Sequence, residues 1–313
     1  MSSCASSPPS PGLPTVGIVG LGRMGTAFAA NLMADGHMVW IYDRDQERMA
    51  ALEAAGAKPA GTLADFVDCQ IVLSSLPNDE ALANVVFRRH GLAYALRAGA
   101  VHVSTSTISP DLSRHLSERH FDFGQHYVAA PVLGNPDLAH ARGLFILAAG
   151  RPEARNLAMP VLKRLGQRVF IVDDQAETAN YVKLAANVLT ATTMESLGEV
   201  LALMRKVGVD QRVAFEIFTN SLFDAKVHKV YGGKIVDSRF SPPGMTVPLA
   251  VKDLRLALAE AERAAVPMPS ASVAHDRLIG LMAKNLDHLD WSALGLLAAL
   301  EAGLGAEEAN GHV

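Results

Sequence analysis

The stretch Val16-Gly17-Ile18-Val19-Gly20-Leu21-Gly22-Arg23-Met24-Gly25 decides the fold. Val16–Val19 is a short apolar run that reads as a buried strand, and Met24–Ala34 has the spacing of an amphipathic helix. Between them the glycines have separate tasks. Gly20 opens the tight turn, Gly22 lets backbone approach a pyrophosphate, and Gly25 lets the helix pack on the strand. The helix start then offers unpaired N–H groups and the positive end of its dipole to phosphates. A glycine triplet alone says little, because tight turns use glycine for steric reasons. Asp43 adds weight: it lies about 20 residues on, at the end of the second strand, where a carboxylate accepts hydrogen bonds from ribose hydroxyls.

Asp43 also bears on the choice of cofactor. A carboxylate there repels a 2′-phosphate, which favours NAD. Arg44 could offset this by binding that phosphate or stacking on adenine, or could simply cap an exposed strand end, so NADP is not excluded. The dinucleotide candidates are Gly20, Leu21, Gly22, Arg23, Met24, Gly25, Asp43 and Arg44, joined by Leu76 and Pro77 after the apolar run Ile71–Ser75.

Outward from this unit the same alternation continues to about Asp173. The runs Met38–Tyr42, Ile71–Ser75, Ala100–Val103, His126–Ala129, Leu144–Ala148 and Val169–Val172 are separated by segments such as Arg44–Ala55 and Pro152–Leu165 with helical spacing. Alternating strands and helices imply βαβ units and a parallel sheet covered on both faces. Beyond Gln175 strand-like runs nearly vanish. Ala176–Met204 lacks proline and reads as one long helix, and further helical patterns occupy Gln211–Thr219, Ala250–Ala264, Pro269–Ala283 and Ser292–Leu300. The expected architecture is α/β: a Rossmann-type, doubly wound, mostly parallel sheet over residues 15–175. An all-helical domain over residues 176–313 follows, entered by the long interdomain helix. Residues 1–14, rich in Ser and Pro, read as a disordered tail without the basic start and apolar run of a signal peptide.

Composition bounds the function classes. The chain has 313 residues, half of them hydrophobic, enough for two packed domains. A net charge of −4 gives no general attraction to nucleic-acid backbones. Cys4 lies in the tail and Cys69 before a core strand, which argues against a disulfide framework. No uncharged apolar stretch reaches the ~20 residues of a membrane span. A soluble cytoplasmic protein with a small-molecule substrate, no nucleic-acid or membrane partner and no metal is expected. The many apolar positions of the helical half point to a homodimer formed through it.

Gly20–Gly25, continued by Thr26 to Leu32, resembles the opening of the β-hydroxyacid dehydrogenase family, which includes 3-hydroxyisobutyrate and tartronate semialdehyde dehydrogenases. Four later stretches resemble the family in the same order: Ser104-Thr105-Ser106-Thr107-Ile108-Ser109-Pro110, Ala130-Pro131-Val132-Leu133-Gly134, Lys183 with Asn187, and Lys252-Asp253-Leu254. The resemblance runs from Thr15 to about Leu300. It implies a Rossmann domain joined by one long helix to a helical, commonly dimerising domain, and NAD(P)-dependent hydride transfer to and from small hydroxyacids.

Lys183 and Asn187 lie four apart on the long helix, hence on one face. In carbonyl reduction a protonated lysine donates to the developing alkoxide, and in alcohol oxidation the neutral amine takes the proton. Asn187 could orient the amine and the substrate oxygen. Taken alone, a lysine on a helix is usually just solvated. Together with the resemblance, the pair is the catalytic candidate. Ser106 and Thr107 follow a strand at its carboxyl end, where their hydroxyls could hold a substrate carboxylate or the nicotinamide ribose, so Thr107 counts toward both ligands. Ser109 before Pro110 equally suits a helix N-cap. The Lys252-Asp253 pair could reach the cofactor or the Lys183 region, or could form an ordinary helix-surface salt link worth under about 1 kcal/mol.

The chain departs from its resemblance in one loop. The family reads Asp-Ala-Pro-Val-Ser-Gly-Gly where this chain has Ala129, Leu133 and Asn135 at the Asp, Ser and last Gly. Leucine cannot donate a hydrogen bond, so one carboxylate anchor is missing, while Gly134 keeps its N–H. Glu177 and Ala179 replace glycines ahead of the lysine, and Met245 stands where an aromatic residue is common. Ser106, Thr107, Leu133, Gly134 and Met245 are therefore the substrate candidates, for a substrate larger or less polar than 3-hydroxyisobutyrate. Related imine reductases share the architecture but usually carry Asp or Tyr at the position of Lys183. A charged lysine opposes an iminium cation, so Lys183 argues for alcohol–carbonyl chemistry. A catalytically silent cofactor-binding protein is the third reading.

Overall fold

The computed structural model describes residues 12–305, so most of the expected tail, residues 1–11, lies outside the described part. The chain divides into two compact units after Lys183.

The first unit alternates strand and helix. Its elements run β1 Val16–Val19, α1 Arg23–Ala34, β2 Val39–Tyr42, α2 Gln46–Ala54, β3 Lys58–Pro59, β4 Ile71–Ser74, α3 Asp79–Phe87 and α4 Leu92–Ala95. They continue through β5 Val101–Ser104, α5 Pro110–Asp122, β6 His126–Ala129, β7 Val132–Leu133, α6 Pro136–His140, β8 Leu144–Ala149, α7 Pro152–Leu165 and β9 Gly166–Asp173. The sheet order is β3-β2-β1-β4-β5-β6-β8-β7, with β9 paired to β8. Strands from β3 to β6 are parallel, β8 runs antiparallel to β6 and β7, and β9 is parallel to β8. The sheet is thus mostly parallel and doubly wound. Between β1 and β4 the winding reverses, which opens a crevice at the carboxyl ends of the strands.

Both sheet faces are buried, as the continuous apolar runs require. One core gathers Ile18, Phe28, Ile41, Leu73 and Val103 under α1 and α7. The other, under α3 to α5, gathers Val72, Leu82, Leu92, Ile108 and Leu116. A polar chain threads this second core. Gln125 Nε2 donates to the carbonyls of Ala93 and Leu96, which leaves its Oε1 to accept from His120 Nδ1 at 2.6 Å. His120 Nε2 then accepts from His102 Nδ1, and His102 Nε2 from the Ser74 hydroxyl, each at 2.8 Å. Every link has one donor and one acceptor, so both imidazoles are neutral.

The second unit is helical. Its helices are the long α8 Glu177–Lys206, which begins before the division, then α9 Gln211–Thr219, α10 Gly233–Val236, α11 Val247–Arg263, α12 Pro269–Ala283 and α13 Leu294–Glu301. Met194, Leu197, Leu201, Leu254, Leu278 and Leu294 form its core, with Trp291 packed edge-to-face on Tyr231. Buried Asp290 organises the neighbouring loop. Its carboxylate takes Lys234 Nζ at 2.8 Å, Gly244 N–H at 2.7 Å and the Ser292 hydroxyl at 2.5 Å; burial pushes it up, but Lys234 and Ser292 hold it below the usual carboxylate range.

Candidate cofactor and catalytic sites

At the end of β1 the backbone turns on Gly20, whose φ is +89°. A Cβ there would meet the Ser75 carbonyl, and one at Gly25 would run into the Gly20 carbonyl, so both positions require glycine. Gly22 differs, because a Cβ on it would enter open space. Gly22 also precedes α1 without a side-chain cap, and α1 has no acidic residue in its first turn. Beside it lies a depression of about 530 Å³ lined by Leu21, Gly22, Arg23, Thr26, Arg48 and His140. An uncapped helix N-terminus with free approach and cationic side chains fits the pyrophosphate of a dinucleotide. The residues present therefore suit NAD(P).

Asp43, buried at the end of β2, holds the turn in shape. Its Oδ2 accepts the Leu21 N–H at 2.7 Å and its Oδ1 the Asp45 N–H at 2.9 Å, with Arg48 Nη1 4.0 Å from Oδ2. Each carboxylate oxygen keeps a lone pair for a further donor. Arg44 is exposed, Arg23 faces Asp137 at 3.8 Å, and Met24 packs on the first core.

Beyond the crevice, the loops after β4 and β5 are stitched together. Thr105 N–H and Oγ1 both donate to the Ser74 carbonyl, and Leu76 N–H donates to Ser106 Oγ at 2.8 Å. The Ser106 oxygen is thus already an acceptor, and its own proton remains to be given. Ser109 accepts the Leu112 N–H at 3.1 Å and so caps α5. Pro77 is exposed and Thr107 half-buried. In the loop after β6, Leu133 packs against the second core and Gly134 has a φ of +142°.

Lys183 and Asn187 lie one turn apart on α8, at 9% and 5% exposure, within a buried stripe that also holds Ala179, Leu184, Val188 and Ala191. A buried lysine on an apolar stripe is a costly choice. Asn187 Nδ2 donates to Asp253 Oδ2 at 2.6 Å, and Lys252 Nζ lies 2.8 Å from Asp253 Oδ1. The Lys252–Asp253 pair is therefore mostly buried and serves Asn187. Met245 packs against the helical core, where its carbonyl accepts the Trp291 N–H. The sequence put the Lys252-Asp253 pair within reach of the Lys183 region without naming Asn187 as the partner of Asp253, and it left out Arg48 and Asp79. The Asn78-Asp79-Glu80 run after a strand was a readable helix start.

Comparison with known proteins settles the family. Residues 15–173 match the profile described as the NAD binding domain of 6-phosphogluconate dehydrogenase. Residues 178–297 match that described as NAD-binding of NADP-dependent 3-hydroxyisobutyrate dehydrogenase. The chain belongs to the β-hydroxyacid dehydrogenase family. As a β-hydroxyacid dehydrogenase family member it is an NAD(P)-dependent oxidoreductase of the class acting on CH–OH groups. It is similar to the uncharacterised oxidoreductase YfjR of Bacillus subtilis, 36% identical over 89% of this chain and 98% of the relative. It is also similar to 2-(hydroxymethyl)glutarate dehydrogenase of Eubacterium barkeri, 30% identical over 89% of this chain and 93% of the relative. A crystal structure of 3-hydroxyisobutyrate dehydrogenase from Salmonella typhimurium shares the fold, with a TM-score of 0.82 at 24% identity, covering 91% of this chain and all of that one. Among the described residues no helix is long and apolar enough to cross a membrane.

Proposed function

We propose that the enzyme interconverts a β-hydroxyacid and its semialdehyde, with Lys183 as general acid and base. The observation that carries this is the buried Lys183 one helical turn from Asn187, whose amide is fixed by Asp253. When bound, the nicotinamide cofactor supplies or accepts the hydride. Lys183 Nζ gives a proton to the carbonyl oxygen in reduction and takes it back in oxidation. Asn187, its Nδ2 bonded to Asp253, orients the lysine or the substrate hydroxyl. Ser106, Thr107 and the Gly134 N–H bind the substrate's polar end. Leu133 and Met245 make its surroundings apolar, which favours a substrate larger or less polar than 3-hydroxyisobutyrate. The substrate class draws support from the relative named a 2-(hydroxymethyl)glutarate dehydrogenase.

The cofactor is held at Gly20, Leu21, Gly22, Arg23, Met24 and Gly25, with Leu76, Pro77, Thr107 and Lys252 as further contacts. In this reading NAD is preferred to NADP, because Asp43 stands where a 2′-phosphate would lie. Arg44 opposes that preference without overriding it. The enzyme works as a homodimer in the cytoplasm. Exposed Val213 and Ile217 on α9, with Leu203 in the last turn of α8 and Val207 just after it, supply the apolar surface for the dimer. Turnover of a panel of hydroxyacids and semialdehydes with NAD(H) and NADP(H) tests the reading, and activity confined to imines would refute it.

A further inference from the structure

The loops after β4 and β5 carry Leu76, Pro77, Ser106 and Thr107, and the group that ties their far ends together belongs to neither candidate set. Asp79, the first residue of α3, accepts twice from Ser109: the N–H at 3.0 Å on Oδ1 and the hydroxyl at 2.5 Å on Oδ2. The direction of the second bond is fixed. Ser109 Oγ already accepts the Leu112 N–H, so its proton goes to Asp79. Both carboxylate oxygens are therefore acceptors facing donors.

Helix capping does not account for this carboxylate. Helix α3 is capped by Asn78, whose Oδ1 accepts the Ala81 N–H at 2.9 Å, and α5 is capped by Ser109 itself. Asp79 acts between the helices. At the near end the loops are joined by Thr105 on the Ser74 carbonyl and by Leu76 N–H on Ser106 Oγ. Pro77 and Thr107 lie in the loop segments between these joints and the Asp79–Ser109 pair.

The position of this strap says which part of a ligand it serves. A dinucleotide straddles the crevice where the winding reverses, between β1 and β4. Asp43 marks the β2 side as the adenosine side, so the loops after β4 and β5 lie under the nicotinamide half. We infer that Asp79 is a positioning residue for the nicotinamide mononucleotide half of the cofactor, acting through Ser109 on the Ser106–Thr107 loop. This rests on the dinucleotide reading proposed above.

Two ligands separate the halves: NADH carries both, and AMP carries the adenosine half alone. Asp79→Asn keeps the size of the side chain but turns an NH2 toward a Ser109 donor, and Ser109→Ala removes the hydroxyl from the other side. In either variant NADH should bind about tenfold more weakly, because the Ser106–Thr107 loop loses its tie, while AMP affinity stays at the wild-type value. kcat should fall with the NADH affinity. If Asp79→Asn does not fold, Ser109→Ala carries the test alone. Equal weakening of both ligands would make Asp79 general scaffold and overturn the inference, as would unchanged NADH binding in both variants. A wild-type protein that binds neither ligand would overturn the dinucleotide reading, and this inference with it.

Discussion

Asn187 Nδ2 donates a 2.6 Å hydrogen bond to Asp253 Oδ2, joining α8 to α11 across 66 positions of sequence. Both side chains are buried, so neither has water to fall back on. Removing the acceptor takes a buried hydrogen bond from the amide, at a cost of about 1–3 kcal/mol. Asp253→Ala should lose stability of that order in urea titrations, read from the transition midpoint. A change below about 0.5 kcal/mol, the size of an ordinary surface substitution, would show the pair to be incidental.

Lys183→Met keeps aliphatic bulk and helix propensity while removing the ammonium. Loss of general acid–base catalysis should lower turnover by ~10²–10⁴ with NADH affinity little changed. The wild-type oxidation rate should rise with pH as the amine deprotonates, and the variant should lose that limb. Near-normal turnover in the variant would refute the assignment.

If Asp43 binds the adenosine ribose as proposed, NADH should bind more tightly than NADPH in fluorescence titrations. About tenfold tighter NADPH binding, some 1.4 kcal/mol the other way, would mean that Arg44 governs the choice. Asp43→Asn should move the preference toward NADPH, though it also places an NH2 near the Leu21 and Asp45 N–H groups and so loosens the glycine turn.

The chain Ser74–His102–His120–Gln125 predicts an acid-sensitive first unit. Burial lowers the His102 imidazole well below its ordinary value and brings His120 to about 4, with Gln125 opposing the shift in part. Tyr127, neutral throughout this range, stacks on His120. The unfolded chain, with histidines near 6.5, binds more protons than the native one in this window, so stability rises with pH. The stabilisation is complete above about pH 7 and drains as pH falls through about 6.5 toward 4, at up to ~1.4 kcal/mol per pH unit for each histidine. Urea midpoints at pH 7, 6 and 5 should show this slope, and His120→Gln should reduce it. An identical slope in the variant would place the titration elsewhere.

Val213 and Ile217, 52% and 60% exposed one turn apart on α9, are expected to be covered by a second copy of the chain. Light scattering at micromolar concentration should give a dimer, and Ile217→Lys should shift it toward monomer. A wild-type monomer would sink the assignment.

Much of this protein was written in local patterns. The β1 run, the glycine turn and α1 follow from period and steric need, and α7, α9 and α12 have the bounds their spacing gives: Pro152–Leu165, Gln211–Thr219 and Pro269–Ala283. Proline at N1 marks α7 and α12, an Asp cap marks α9, and each carries its own start signal. The Lys183–Asn187 spacing needed only the rise and turn of a helix.

Contacts distant in sequence were decided by tertiary structure alone. The strand Val132–Leu133 has two residues and no periodicity, and it exists because β8 offers it antiparallel partners. His102 interrupts an apolar strand and finds Ser74 and His120 only when β4, β5 and α5 are packed. Asp253 looks like half of a surface ion pair until α11 brings it to Asn187, and Asp79 looks like an ordinary first-turn acid until the β5 loop brings Ser109 to it. The physical reason is the same in each case. Periodicity and capping act over a few residues and are legible in one segment, whereas a buried polar side chain is satisfied by whatever the rest of the chain places beside it.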